Sequence, residues 1–542
     1  MLNPFIGSSL CPSISAIIGL NIFSKGTNIM IKIAKTEGGL VRGTYGRDMA
    51  ISVFKGIPFA APAVGKNRWR VPQPVEPWEG VKDCLEFGPA CMTNYSVGYG
   101  EFYKKEWHWD MDYPMSEDCL QLNIWTPAET PDDRLPVMVW IYGGGLINGC
   151  PAEMEFNGEN LARRGVVLVS VNYRANVFGL FAHPEITAEN GGKHCTNFAL
   201  FDQKAGIDWV ERNIENFGGD PTNVTIFGQS AGGRSTLCQV ISPLNRNSCI
   251  KRAITQSSTG INFAIGGHGT DYLTLEQAEK QGDYFFRNYL GVTTLEEARA
   301  LPAEFVRDKC FEFLGKREGQ FQFVVDGDFL TDQPNYMMAR NDRKQIPIMT
   351  GYTTGEFFDV ITANSLEQFE ERAHILFGKY TDEFLKLCDF ESGDLDHVLE
   401  LSKVNGSPFG VRLLLMRAVD DGLPAWLYEF TPTIPGEDNP GPYHSSELNF
   451  VFENLSTCWR PYNGKHYDLA RQMCNYWTNF AKTGDPNGKD NDGTPMPKWE
   501  PFTGDDAKPI VFHEDGVHMS EKELSPCVGG MYRMAADILW RK

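Results

Sequence analysis

The stretch that decides the fold is residues 217–233, which read FGGDPTNVTIFGQSAGG. The run 224–227 has the β-branched and aromatic residues typical of a strand, and it leads into a G-x-S-x-G pentapeptide around Ser230. A strand, a sharp turn and a helix are predicted there, with Ser230 in a strained conformation and its hydroxyl clear of the backbone. Strand and helix converge at Gly228 and Gly232, which leaves almost no room for a side chain. A glycine-rich loop can have the same pattern. Other motifs in the chain are therefore needed to distinguish such a loop from a strand–turn–helix.

Size and charge limit the function classes. The chain has 542 residues and a formal net charge of −20. Since a single core stops growing at roughly 250–300 residues, we expect several domains or one catalytic core with large insertions. The acidic balance argues against nucleic acid and against an anionic membrane surface as partner, because both favour basic patches.

The first 29 residues contain no Asp or Glu and carry an apolar run at 14–23. That run is too short to span a bilayer, and neither a basic start nor an A-x-A site accompanies it. A signal peptide and an ordered chain that starts at Met30 both remain open. We predict an extension over 1–35, a catalytic domain over 36–542 and no stable membrane insertion, and favour a cytoplasmic over a secreted location.

Strand and helix patterns alternate along the chain. Residues 36–125 indicate a β meander, 270–315 a helical insertion, 202–216 and 470–483 helices, and 137–141, 166–171, 346–350 and 425–430 strands. This order predicts an α/β fold with a mostly parallel central sheet and helices on both faces.

Three further motifs accompany the strand, turn and helix around Ser230, which we call the elbow: EDCLQLNIWTP at 117–127, YGGG at 142–145 and NFAKTGDPNG at 479–488. Together they make the chain resemble the type B carboxylesterases from about residue 38 to 499. This branch of the α/β-hydrolases includes carboxylesterases, para-nitrobenzyl esterases and cholinesterases. The resemblance implies an α/β-hydrolase fold with large helical insertions around an active-site gorge, and hydrolysis of carboxylic esters by a serine.

The resemblance assigns catalytic roles to three residues. Ser230 matches the nucleophile, Glu356 the acid and His444 the base, in the chain order that α/β-hydrolases use. The family usually has Gly after the acid and after the histidine, whereas this chain has Phe357 and Ser445. A random histidine is most often structural, and a glutamate beside an aromatic pair can be a surface residue; the motif context favours the catalytic interpretation.

The chemistry needs an oxyanion site as well. A serine hydroxyl reacts only when an imidazole removes its proton, and the negative oxygen that forms needs N–H donors, each worth about 3 kcal/mol in the barrier. Gly144, Gly145 and Ala231 match the family's donors. Three successive glycines can also be a strand-ending turn, but after a buried strand they usually indicate close backbone approach.

Substrate-binding candidates are Trp109, Leu146 and Gln229. Trp109 lies seven residues before Ser116, where cholinesterases have a cation-binding tryptophan, but those enzymes carry Glu where this chain has neutral Gln229. We therefore interpret Trp109 as an apolar wall and expect uncharged or aromatic esters. A feruloyl, toxin or drug esterase, or an amidase, stays an alternative. A non-catalytic adhesion protein is less favoured, because such relatives lack part of the triad and carry a membrane segment.

Thirteen cysteines are an odd number, and no C-x-x-C or zinc-type spacing occurs among them. The resemblance implies a disulfide between Cys91 and Cys119, which a reducing compartment would keep open. We expect no metal and no cofactor, a small-molecule ester as substrate, and a monomer or homodimer.

The resemblance also implies supporting polar contacts. It pairs Arg68 with Glu117 and Arg174 with Asp202. Ser257 resembles a serine that stands behind the catalytic residues in the family, although a turn serine would have the same sequence context.

Overall fold

The computed structural model describes residues 30–95, 100–107, 113–257, 272–340 and 343–541. Its strands are β1 (Ile33–Thr36), β2 (Gly39–Arg42), β3 (Thr44–Tyr45), β4 (Ser52–Pro58), β5 (Val81–Asp83), β6 (Gln121–Thr126), β7 (Leu135–Ile141), β8 (Val167–Val171), β9 (Gly219–Gln229), β10 (Ile250–Gln256), β11 (Leu273–Thr274), β12 (Val324–Val325), β13 (Ile348–Thr353), β14 (Ala425–Phe430), β15 (Ile510–His513) and β16 (Gly516–Met519). Its helices are α1 (Gly100–Glu106), α2 (Glu159–Ala162), α3 (Asn176–Leu180), α4 (Pro184–Glu189), α5 (Phe198–Asn213), α6 (Ala231–Ile241), α7 (Leu275–Phe285), α8 (Leu295–Ala300), α9 (Ala303–Gly315), α10 (Pro334–Ala339), α11 (Leu366–Phe377), α12 (Thr381–Leu387), α13 (Leu395–Leu401), α14 (Gly406–Asp420), α15 (Leu448–Val451), α16 (Gly464–Thr483) and α17 (Pro526–Leu539).

The centre of the molecule is a large mixed sheet in the order β16-β15-β14-β13-β10-β9-β7-β8-β6-β4-β3. Strands from β8 to β15 in this order are parallel to their neighbours, while the pairs at both edges are antiparallel. Helices cover both faces, so the predicted architecture is confirmed.

The central strands form because both of their sides are apolar. All residues of β8, VLVSV, are buried, as are the last five of β7, LPVMVWI. A continuous β-branched and aliphatic run of this kind suits a parallel strand that is covered on both faces. The sheet therefore forms the middle layer of the core, and packing in this core fixes the positions of the strand ends.

The predicted elements exist, with shifted ends. The strand predicted at 425–430 is β14, and the helix predicted at 202–216 is α5 followed by a short 3-10 turn, Ile214–Phe217. Helix α16 begins at Gly464 rather than at 470, because Asn463 and His466 cap each other's backbone and start the helix earlier. The insertion at 270–315 is helical from Leu275, as α7, α8 and α9.

Both predicted ion pairs are present and buried. Arg68 binds Glu117 through two bonds of 2.6 Å, and Arg174 binds Asp202 through bonds of 2.8 and 2.7 Å. Such bidentate pairs lock two segments in one orientation, and removing one partner would leave a buried charge unpaired.

Cys91 and Cys119 are buried free thiols in the structure, so the disulfide expected between them is not formed there. The side chains touch, and the hydrogen bond to Cys91, together with burial, raises the pKa of the Cys119 thiol well above its usual value. The pairing therefore stays a prediction that depends on the redox environment.

Among the helices of the described ranges, none combines the length and the apolar character that crossing a bilayer requires.

Candidate active site

The elbow around Ser230 has the geometry that its sequence predicts. Ser230 follows β9, caps the start of α6 and has φ 56° and ψ −124°, a strained conformation for a residue with a side chain. A Cβ at Gly228 would lie 2.4 Å from the carbonyl oxygen of Gly232, and one at Gly232 would lie 2.0 Å from that of Ile141. Only glycine fits at these two positions, because strand and helix pass so close to each other.

The parallel register brings the ends of four strands to one edge of the sheet. Gln229 in β9 lies opposite Gln256 in β10, which lies opposite Gly351 in β13, which lies opposite Tyr428 in β14. The backbone N–H of Ser230 donates to the carbonyl of Gln256 at 2.9 Å. Residues that follow these strands therefore share the carboxyl edge, where ligands bind in open α/β sheets.

The structure brings Ser230, His444 and Glu356 together. Nε2 of His444 lies 2.9 Å from Oγ of Ser230, and Nδ1 lies 2.6 Å from Oε2 of Glu356. The other carboxylate oxygen, Oε1, accepts from the backbone N–H and the hydroxyl of Thr353 at 3.3 and 3.2 Å. The carboxyl group is thereby held from both sides, and the imidazole has one orientation.

Two opposing effects act on the pKa of His444. Burial lowers it, while the charge and the hydrogen bond of Glu356 raise it, with a smaller contribution from Glu447. The net result is a pKa above the ordinary value of 6.5. The site therefore stabilises the imidazolium that forms when a histidine takes a proton.

Glu447 is a second buried carboxyl group that the sequence reasoning missed. It is fully buried, and its Oε1 accepts a hydrogen bond of 3.0 Å from the hydroxyl of Ser257. Burial and then the charge of Glu356 raise its pKa to about 7, although the charge of His444 and the hydrogen bond from Ser257 lower it. Its position three residues after His444 is the only signal in the sequence. Ser257, which follows β10, is thus part of the polar cluster rather than an isolated turn residue.

The glycine loop after β7 lies beside the elbow. A Cβ at Gly143 would come within 3.2 Å of Cβ of Ser230, and Gly144 and Gly145 have φ values of 95° and 66°. Within the described ranges, no protein acceptor takes the backbone N–H of Gly144, Gly145 or Ala231. Unoccupied donors next to a reactive oxygen are what an oxyanion site needs.

The candidate substrate-binding residues have different outcomes. Trp109 lies outside the described residues. Leu146 is buried in the core with φ 66°, and its carbonyl accepts from the N–H of Asn176 at 2.7 Å. Gln229 is buried, and its side-chain nitrogen lies 3.5 Å from Nε2 of His444. Of the two that the structure describes, Gln229 is the one that lies beside His444.

The two departures from the family pattern have physical consequences. Ser445 has φ 80°, in the left-handed region that glycine occupies without strain, which explains why Gly is usual there. Phe357 is 41% exposed, and its ring centroid lies 4.8 Å from that of His444. A large apolar ring thus stands where glycine is usual in the family.

Within the described part of the chain, a candidate metal-binding group is formed by His513, Glu514 and Asp515, whose ligand atoms lie within 4.8 Å of one another. It sits at the hairpin of the edge strands β15 and β16, and Asp515 already pairs with Lys465. Adjacent exposed acidic groups of this kind are common without a metal, and this group is not part of the cluster around Ser230.

A mostly parallel sheet with a strained serine elbow after a central strand defines the class: this is the α/β-hydrolase fold. The model of the Carboxylesterase family matches residues 31–525. The chain is 32% identical to fumonisin B1 esterase of Sphingopyxis macrogoltabida over 84% of this chain and 82% of that protein. It is 31% identical to carboxylesterase 1E of Rattus norvegicus over 87% and 88% of the two chains.

Among solved structures, a thermophilic PNB esterase is similar with a TM-score of 0.73 and 27% identity, covering 93% of this chain and 99% of that one. The carboxylesterase Est55 of Geobacillus stearothermophilus is similar with a TM-score of 0.71 and 27% identity, covering 93% and 100%. The chain therefore belongs to the carboxylesterase family and is a carboxylic ester hydrolase.

Proposed function

We propose that this esterase works through an acyl-enzyme on Ser230. His444 takes the proton of the serine hydroxyl as the oxygen attacks the ester carbonyl, and it returns that proton to the leaving alcohol. Water then attacks the acyl-enzyme with the same imidazole as base. The observation that carries the proposal is the pair of distances at His444, 2.9 Å to Ser230 and 2.6 Å to Glu356.

Glu356 orients the imidazole and stabilises its charged form. Its carboxylate is fully buried, so its attraction to the imidazolium is weakly screened by solvent. The backbone N–H groups of Gly144, Gly145 and Ala231 would bind the negative oxygen of the tetrahedral intermediate. Loss of one such donor typically costs a factor of about 100–1,000 in kcat.

The site favours an uncharged or aromatic ester. Gln229 puts a neutral amide, not a carboxylate, next to His444, and the accessible ring beside that histidine is the phenyl group of Phe357. A toxin ester is a second candidate substrate, favoured by the likeness to fumonisin B1 esterase. Incubation with fumonisin B1 and a search for its free acid products tests that candidate directly.

The test of the proposed function is Ser230→Ala, measured on para-nitrophenyl esters of rising acyl length and with a phosphonate that labels reactive serines. We expect loss of turnover and of labelling, with the label of the unmodified enzyme on the peptide that contains Ser230. Ser392→Ala, at an exposed position, is the matched control and should keep both. Full turnover by Ser230→Ala would place the nucleophile elsewhere.

A further inference from the structure

Phe357 combines two properties that an ordinary core or surface residue does not have. Its side chain is accessible, with 41% of its surface exposed, yet its ring centroid lies only 4.8 Å from the imidazole of His444. Accessible apolar surface next to a reacting group is surface that a bound substrate can cover.

The reaction determines which part of the substrate comes to this place. In the acylation step the proton on Nε2 of His444 passes to the ester oxygen while the bond from that oxygen to the carbonyl carbon breaks. The alcohol oxygen must therefore lie within hydrogen-bond distance of Nε2. A ring that packs against the imidazole is consequently a neighbour of the alcohol, whereas the carbonyl oxygen lies at the glycine loop.

A second aromatic ring continues this surface. The ring of Tyr103 in α1 lies 6.3 Å from that of Phe357, and its hydroxyl donates to the carbonyl of His444 at 3.4 Å. The distance between the two rings is within the range of aromatic pairs. We call Phe357 and Tyr103 the aromatic shelf.

The shelf is held rigidly against the histidine loop. Glu106, at the end of α1, accepts from Arg460 at 2.6 and 2.9 Å and from the hydroxyl of Tyr443 at 2.8 Å. The carboxylate and the guanidinium are buried, and Tyr443 directly precedes His444. Helix α1 is thereby fixed to the backbone that carries the imidazole, so the shelf is formed before substrate arrives.

We propose that the aromatic shelf is the binding subsite for the leaving alcohol, and that it selects esters of uncharged aromatic alcohols. The inference rests on the proposed function, since it needs His444 as the proton donor to that alcohol. The neutral amide of Gln229 beside the imidazole fits an uncharged group.

The test compares benzyl butyrate with ethyl butyrate. Both form the same butyryl-enzyme, so kcat/KM reports acylation with two alcohols of similar acidity that differ in an aromatic ring. We expect the unmodified enzyme to prefer the benzyl ester. In Phe357→Ala the ratio of the two kcat/KM values should fall about tenfold, because the benzyl ester loses more than the ethyl ester.

Phe358→Ala is the matched control: this neighbouring ring is more exposed, at 63%, and its centroid lies 5.9 Å from that of Phe357. It should leave the ratio unchanged. An unchanged ratio in Phe357→Ala, or an equal loss for both esters with a shifted pH profile, would overturn the proposal and show that Phe357 only orients His444. Failure of the unmodified enzyme to cleave either ester or to take the phosphonate label at Ser230 would instead reject the proposed function, and the subsite with it.

Discussion

The hydroxyl of Ser257 donates a 3.0 Å hydrogen bond to the carboxyl group of Glu447, which is buried beside the cluster of Ser230, Glu356 and His444. The charge of Glu447 contributes to the raised pKa of His444, and the imidazole in turn lowers that of Glu447. Ser257 thus fixes a second acidic group, besides Glu356, close to the imidazole.

Glu447→Gln should change how stability depends on pH. The folded pKa of Glu447, about 7, lies above its ordinary value of 4.5. The stability that the protonated group contributes is therefore full below about pH 4.5 and is lost as the pH rises through about 7. The glutamine keeps the acceptor for Ser257 but cannot ionise, so it avoids this loss. As the pH rises from 5 to 8, the free energy of unfolding of the variant should therefore increase by up to about 3 kcal/mol relative to that of the unmodified protein. Urea unfolding at both pH values measures this, and an equal difference at both would contradict the assigned pKa.

The acid side of the activity profile should lie above the pKa of a free imidazole. Since His444 must be neutral to accept the proton and its pKa is raised above 6.5, kcat/KM should reach half of its maximum above about pH 6.5. A titration of kcat/KM with a neutral ester checks this. A profile that stays flat down to about pH 4 would exclude His444 as the base.

Gln229→Glu should move that profile further. The side-chain nitrogen of Gln229 lies 3.5 Å from Nε2 of His444, so a carboxylate there would favour the imidazolium. We expect the acid limb of kcat/KM to shift upward by about one pH unit, in line with the effect of a close opposite charge. Titration of kcat/KM of the variant against pH tests this. Gln229→Met is the uncharged control, and its acid limb should not shift upward.

Gly232→Ala should damage the elbow. The added Cβ would meet the carbonyl oxygen of Ile141 at 2.0 Å, and neither backbone can yield without distorting the turn. We expect a loss of more than about 2 kcal/mol in the free energy of unfolding, together with most of the turnover. Gly315→Ala is the control, because a Cβ there meets no atom within 4 Å and the residue ends helix α9. If both variants unfolded at the same urea concentration, the close approach at the elbow would not be a constraint.

Oxidation should join Cys91 to Cys119. The two buried thiols touch, and a bond that closes a loop of this length would stabilise the fold by roughly 3–4 kcal/mol through the unfolded state. Mild oxidation should raise Tm and produce a linked peptide pair in mass spectrometry. Cys119→Ser should show neither effect, and a linked pair without a gain in Tm would mean that the bond strains the native state.

The sequence predicted best what is encoded locally. The elbow follows from two glycines around Ser230, and the buried strands follow from continuous apolar runs such as β8. The positions of Glu356 and His444 rest on motif context, and the structure brings both to the serine. Helix α16 started earlier than expected because the cap between Asn463 and His466 outweighs the polar composition of its first turns.

Two long-range contacts near the site could not be predicted from the sequence. The local sequence around Glu447 does not distinguish a buried acid from a surface acid. Its hydrogen-bond partner, Ser257, is 190 residues away in the chain. Glu106 and Arg460 are 354 positions apart in the chain, so no local sequence pattern predicts that they pair. Such partners meet only in the folded chain.

The serine and the histidine of the cluster are 214 residues apart in the chain, and the glutamate stands 88 residues before the histidine. Under the proposed mechanism, a chain that ends before residue 444 lacks the base and should not hydrolyse esters. During refolding, ester turnover should therefore return late. The circular dichroism signal of the helices should recover first, and activity should recover only after strands that are far apart in the chain have paired.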